Sequence, residues 1–218
     1  MASVIASPPA LWTAEDLAER FGPMPLQRFR LDRSLGMATE QDVIDIHDRE
    51  NRLYELVDGI LVEKTMGLRE SILAMALIRL LGNFVAKGKL GIVAGPDGTM
   101  RLAPGLVRIP DASFFRWDRF PDRRVPSEPI PDVVPNLGVE VLSPSNTAKE
   151  MQRKLEDFFA AGVELVWFID PVKRCVEIFT SPTQSTVLQG NATLDGGSVL
   201  PGFSLPLAEL FATLDQQG

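Results

Sequence analysis

Cysteine and histidine are almost missing from this chain: 218 residues contain one of each, Cys175 and His47. A lone cysteine forbids an intrachain disulfide and accords with a reducing cytoplasm. A zinc site of histidine and cysteine would lack its ligands. Neither a glycine-rich phosphate loop, nor a nucleophile elbow, nor a dinucleotide fingerprint is present. The opening segment, MASVIASPPALW, has no basic start and no apolar stretch of the signal-peptide kind. The longest apolar run, ILAMALIRLLGNFVA, is interrupted by Arg79 and Asn83 and reads as too short to span a bilayer, so no membrane partner is expected. With these classes set aside, chemistry must rest on carboxylates and lysines.

What is present is an ordinary globular composition, 45% hydrophobic and 23% charged. The length suits one large domain or two small ones. The net charge of −7 argues mildly against nucleic acid, yet it is unevenly spread. Residues 61 to 110 hold 3 acids and 7 bases, while acids dominate on either side. Such a segment could face a phosphate backbone, or be a chance fluctuation of the surface.

Capped helices are predicted from Thr13 in TAEDLAERFG and from Thr39 in TEQDVIDIHDRE. LYELVDGILVEK reads as a hairpin turning at Asp58-Gly59. LRESILAMALIRLLGNFVAKG is a long helix, apolar almost all round and expected to be buried. Short strands follow around GIVAG, TMRL and LVRIPDASFF, and then a proline-rich loop. NLGVEVL is a strand apolar on both faces, NTAKEMQRKLEDFFAAG a helix stopped by Gly162, and VELVWFID with RCVEIFT a hairpin. The tail closes with a short helix. This order suggests one mixed α/β sheet with helices packed on it. Residues 1–50 form a helical extension and 51–218 the main domain.

Two acids sit awkwardly in this pattern. Glu140 interrupts an otherwise apolar strand, where an ionised carboxylate costs several kcal/mol unless paired or metal-bound. Asp111 follows Pro110 inside LVRIPDASFF, a place where proline marks an edge or bulge that re-aims the next side chain. Clustered carboxylates would select a hard cation such as Mg²⁺, Mn²⁺ or Ca²⁺. Equally, Asp111 could be a turn residue and Glu140 the partner of an arginine. On the following helix Lys154 borders the stripe of Met151, Leu155, Phe158 and Phe159, whereas Lys149 and Arg153 project from the far side. Lys154 either points at the sheet or snorkels to water.

Together, YELVDG, RIPDASFF and GVEVLSPSNTAKEMQRKLEDFFAAGVELVWFIDP resemble the Uma-two family of restriction endonucleases, within the PD-(D/E)XK nuclease superfamily. The resemblance covers roughly residues 50–185 and implies a restriction-endonuclease-like core with a mixed central sheet flanked by helices. Pro110-Asp111 and Glu140 match the superfamily acids. Leu142 stands where its lysine is expected, and Lys154 on the next helix matches a migrated lysine. Glu55 matches an upstream acid, although a solvated hairpin residue is an equal reading. A histidine often found after the first hairpin is absent, with Arg69 nearby.

The resemblance implies a Mg²⁺-dependent endonuclease, with Mn²⁺ as substitute. Asp111, Glu140 and Glu55 would be metal ligands, Lys154 the catalytic lysine, DNA the substrate and a homodimer the active unit. The arginines of FFRWDRFPDRR could touch phosphates, but Asp118 and Asp122 make a solvated loop the stronger reading. A binding module that has lost catalysis and a structural oligomer remain alternatives.

Overall fold

A computed structural model describes residues 12–32 and 34–215. Its strands form a six-stranded sheet, a four-stranded sheet and a two-stranded ribbon. The expected mixed sheet is the first of these. Its order is β10 (Gln184–Gln189), β9 (Cys175–Ser181), β8 (Leu165–Asp170), β7 (Leu137–Val141), β6 (Ala112–Arg116) and β3 (Gly91–Ala94). β7 and β8 run parallel, joined by α4 (Ala148–Ala161), and the other neighbours are antiparallel. The four-stranded sheet contains β2 (Ile60–Glu63), β1 (Tyr54–Val57), β5 (Leu106–Arg108) and β4 (Met100–Ala103). β11 (Thr193–Gly196) and β12 (Leu200–Pro206) make the ribbon.

LVRIPDASFF is therefore not one strand. Its first residues belong to β5 and its last to β6, in different sheets. Pro110 has no N–H to continue a ladder, so the chain leaves one sheet and enters the other across Ile109-Pro110-Asp111.

Alternation sorts the six-stranded sheet into two faces. Phe114, Val139 and Trp167 pack under α3 (Leu68–Gly88) together with the ribbon and α5 (Leu207–Ala212). Phe115, Val166 and Phe168 pack against Met151, Leu155 and Phe158 of α4 and against Met100 and Leu102 of β4. α1 (Ala14–Phe21) covers the β1–β2 hairpin, and α2 (Glu40–Glu50) lies on β1 and β5. Asp58 and Gly59 both have positive φ, the backbone of a tight hairpin turn. A side chain at Gly59 would strike the backbone of Gly36, 2.2 Å away.

The long helix departs from expectation. α3 buries Leu73, Leu77, Leu81 and Val85, but Leu68 is 80% and Met75 55% exposed. At 21 residues it is also long and apolar enough to cross a membrane by length and composition, contrary to the shorter run read from sequence.

Candidate functional site

The candidate residues meet where the two sheets approach α4. In β6 and β7 the register Ser113↔Gly138 places Asp111 and Glu140 at the same end and on the α4 face. Asp111 turns back on the ladder: its amide donates to Val139 O at 2.9 Å, and its Oδ2 accepts from the Val141 amide at 2.6 Å. Glu140 projects toward α4, where Lys154 donates to both of its carboxylate oxygens at 3.0 Å. Lys154 also lies 3.0 Å from Glu55 Oε1. All four residues are buried, Asp111, Lys154, Glu140 and Glu55 being 3, 3, 4 and 2% exposed.

Several alternatives in the sequence are thereby resolved. Lys154 is an inward lysine and does not snorkel, whereas Lys149 is exposed. Glu55 is buried, not a solvated hairpin residue. Glu140 pairs with lysines and not with an arginine. Arg153 differs from expectation: it folds back to Asp157 at 2.9 Å and reaches Asp58 at 3.3 Å.

Two cations complete the cluster that sequence reading missed. Lys64, just past β2, has its Nζ 2.6 Å from Asp111 Oδ1 and 3.6 Å from Glu140 Oε2, and donates to Ile109 O at 2.7 Å. Strand alternation signals it, because Ile60, Val62 and Lys64 share a side and Val62 faces Glu55 across the hairpin. Arg108 donates to Glu55 Oε2 at 2.7 Å and also pairs with Asp157. From Asp157 the pairs continue outward through Arg153 and Asp58 to Arg20 of α1, the last at 2.7 Å.

Glu55 and Glu140 share Lys154 yet shift in opposite directions. Burial alone would raise Glu55, but Lys154, Arg108, Lys64 and the Ile109 amide bring its pKa down to about 2. Burial pushes Glu140 up, and the like charges of Asp111 and Glu55 add to it against the pull of Lys154 and Lys64. Burial would lower Lys154, but Glu140 and Glu55 hold it well above the ordinary lysine value. Glu140 is thus a carboxylate held above its ordinary value by burial and by its acidic neighbours.

Among the described residues, no three histidine, cysteine, aspartate or glutamate side chains are arranged to hold a metal. Glu55 is turned to Arg108, Lys154 and the Ile109 amide, whose N–H donates to its Oε1 at 3.1 Å. Asp111 and Glu140 do fit a hard cation. They offer oxygens from neighbouring strands, with the Lys64 ammonium already beside both. Mg²⁺ in particular binds through one or two carboxylates and keeps water.

The arginine-rich segment contributes little. Arg116 and Arg119 pair with Glu164, while Arg123 and Arg124 are exposed on a loop.

Comparison with known proteins gives three findings. No curated protein matches the chain. Its fold is similar to the crystal structure of a putative nuclease belonging to DUF820 from Anabaena variabilis ATCC 29413. That likeness has a TM-score of 0.66 and 20% identity, covering 74% of this chain and 91% of the other. The family model Uma2, described as "Putative restriction endonuclease", matches residues 41–208. By that match, with Asp111, Glu140 and Lys154 brought together in a nuclease-like fold, the chain belongs to the Uma2 family.

Proposed function

We propose that this protein is a metal-dependent endonuclease that hydrolyses phosphodiester bonds, DNA being the substrate, and that it acts as a homodimer. One observation carries the reading: two carboxylates of adjacent strands, Asp111 and Glu140, converge at one end of the sheet with Lys154 held against one of them. The family match supports nuclease chemistry in general.

Asp111 and Glu140 would hold Mg²⁺ or Mn²⁺, and Glu55 would serve as a positioning residue. Such an ion would acidify water and offset charge on the phosphate. Asp111 keeps its orientation because Oδ2 is fixed by the Val141 amide, leaving Oδ1 to bind. A divalent partner would favour the ionised form of Glu140, which burial and its acidic neighbours oppose. Lys154 stays protonated, so it orients water or stabilises the negative charge of the pentacovalent phosphate and does not act as a free base. Glu55 and Arg108 fix where Lys154 can reach.

A second reading has an observation of its own. Every carboxylate of the cluster is already paired, Asp111 with Lys64, Glu140 with Lys154 and Glu55 with Arg108, as in a binding module that has lost catalysis. Incubation of the purified protein with duplex DNA, single-stranded DNA and RNA separates the two. Cleavage with Mg²⁺ or Mn²⁺, lost in EDTA and in Asp111→Ala, is expected. No cleavage of any substrate under either metal favours the binding module.

A further inference from the structure

Lys64 has no counterpart among the candidate residues read from the sequence, yet it is the group closest to where a cation belongs. Its Nζ lies 2.6 Å from Asp111 Oδ1 and 3.6 Å from Glu140 Oε2, and its side chain is only 8% exposed. It also donates to a main-chain oxygen, that of Ile109, at 2.7 Å. Lys154 sits differently, held between Glu140 and Glu55 at 3.0 Å from each.

Charge decides what this arrangement can tolerate. Asp111, Glu140 and Glu55 face Lys64, Lys154 and Arg108, three charges of each sign, with Asp157 shared between Arg108 and Arg153. A divalent cation added while Lys64 stays would leave two excess positive charges in a poorly solvated place, and like charges at such range repel strongly. If Lys64 withdraws as the ion enters, the carboxylate pair exchanges one positive charge for two. The ammonium then becomes available to a phosphodiester. Its position allows this, because Lys64 leads directly into a stretch containing exposed Thr65 and Gly67, and its stem is four carbons long.

We infer that Lys64 is a built-in counter-cation of the Asp111–Glu140 pair, which yields its place to the divalent ion and turns to the substrate phosphate. This rests on the metal-dependent reading above. It assigns Lys64 a role in metal uptake that a merely structural ion pair would not have.

The test is calorimetric titration of the full chain with Mn²⁺ alone, for the parent, Lys64→Met and Lys64→Arg. Lys64→Met should bind Mn²⁺ at least about tenfold more tightly than the parent, since the competing charge is gone. Lys64→Arg, which keeps the charge, should bind no more tightly than the parent. If Lys64→Met is unfolded in EDTA, Mn²⁺ should refold it, as followed by circular dichroism. Failure to refold overturns the inference. Equal or weaker Mn²⁺ binding by a folded Lys64→Met, beside a parent that does bind, overturns it as well. A parent and a Lys64→Met that both fail to bind Mn²⁺ instead remove the metal-dependent reading itself, and this inference with it.

Discussion

Lys154 is the residue whose substitution has the most to report. Its ammonium is the shared partner of two buried acids at 3.0 Å. Removing one partner of a buried pair costs about 3–5 kcal/mol. Urea denaturation in EDTA should therefore show Lys154→Ala destabilised on that scale, and the double variant Glu140→Gln/Lys154→Met much less so. A near-neutral single variant would mean that the pair is solvated. Activity of Lys154→Ala is interpretable only beside that measurement, whereas Lys149→Ala, on exposed surface, should stay within about 0.5 kcal/mol of the parent.

Glu55 gives a signed pH effect. Its pKa falls from 4.5 when unfolded to about 2 when folded, so the folded state binds the proton less well. The associated stability is present above the unfolded value and lost as pH falls toward 2. Thermal unfolding followed between pH 5 and pH 2 should show a steeper loss for the parent than for Glu55→Gln. Identical slopes would contradict the depressed pKa.

At the level of elements, the N-terminal segment is fastened to the domain by charge as well as by apolar packing. Arg28 forks onto Glu150 of α4, with bonds of 2.8 and 3.1 Å, and also donates to the Glu63 carbonyl. The Thr147 hydroxyl, which caps α4, donates to Phe21 O at 2.6 Å. Arg28→Ala leaves Glu150 buried without its guanidinium and should cost about 3–5 kcal/mol, measured by chemical denaturation. A loss below about 1 kcal/mol would show that the Arg28–Glu150 pair does not fasten the segment. Two helices were legible in the sequence from their caps, because Thr13 and Thr39 each head a capping box, and α4 from its stop at Gly162. Asp58-Gly59 announced the hairpin for a similarly local reason. Strands with weak internal signals were not legible: β10, QSTVLQ, is an exposed edge strand with no apolar alternation. The division of LVRIPDASFF between sheets was hidden as well, since both halves carry strand composition and only tertiary pairing separates them. Of the site, Asp111, Glu140 and Lys154 stood out as charges in apolar patterns. Arg153 was misread because its partner Asp58 lies 95 residues away in the chain.

For the molecule as a whole, the outer face of α3 is the feature that isolation in solution leaves unexplained. Leu68, Ile72 and Met75 recur at helical spacing and are all exposed. A two-fold axis through such a stripe would bury it against the same stripe of a second copy. Light scattering at micromolar concentration should accordingly give twice the 24.0 kDa of one chain, and Ile72→Lys with Met75→Lys should halve it. A parent with the mass of a single chain sinks the dimer. The crossing at Ile109-Pro110-Asp111 has a mechanical counterpart in the site. Lys154 joins Glu55 of the four-stranded sheet to Glu140 of the six-stranded one, so the same charges also tie one sheet to the other. Their presence in a sequence therefore speaks for the architecture whether or not the site cuts.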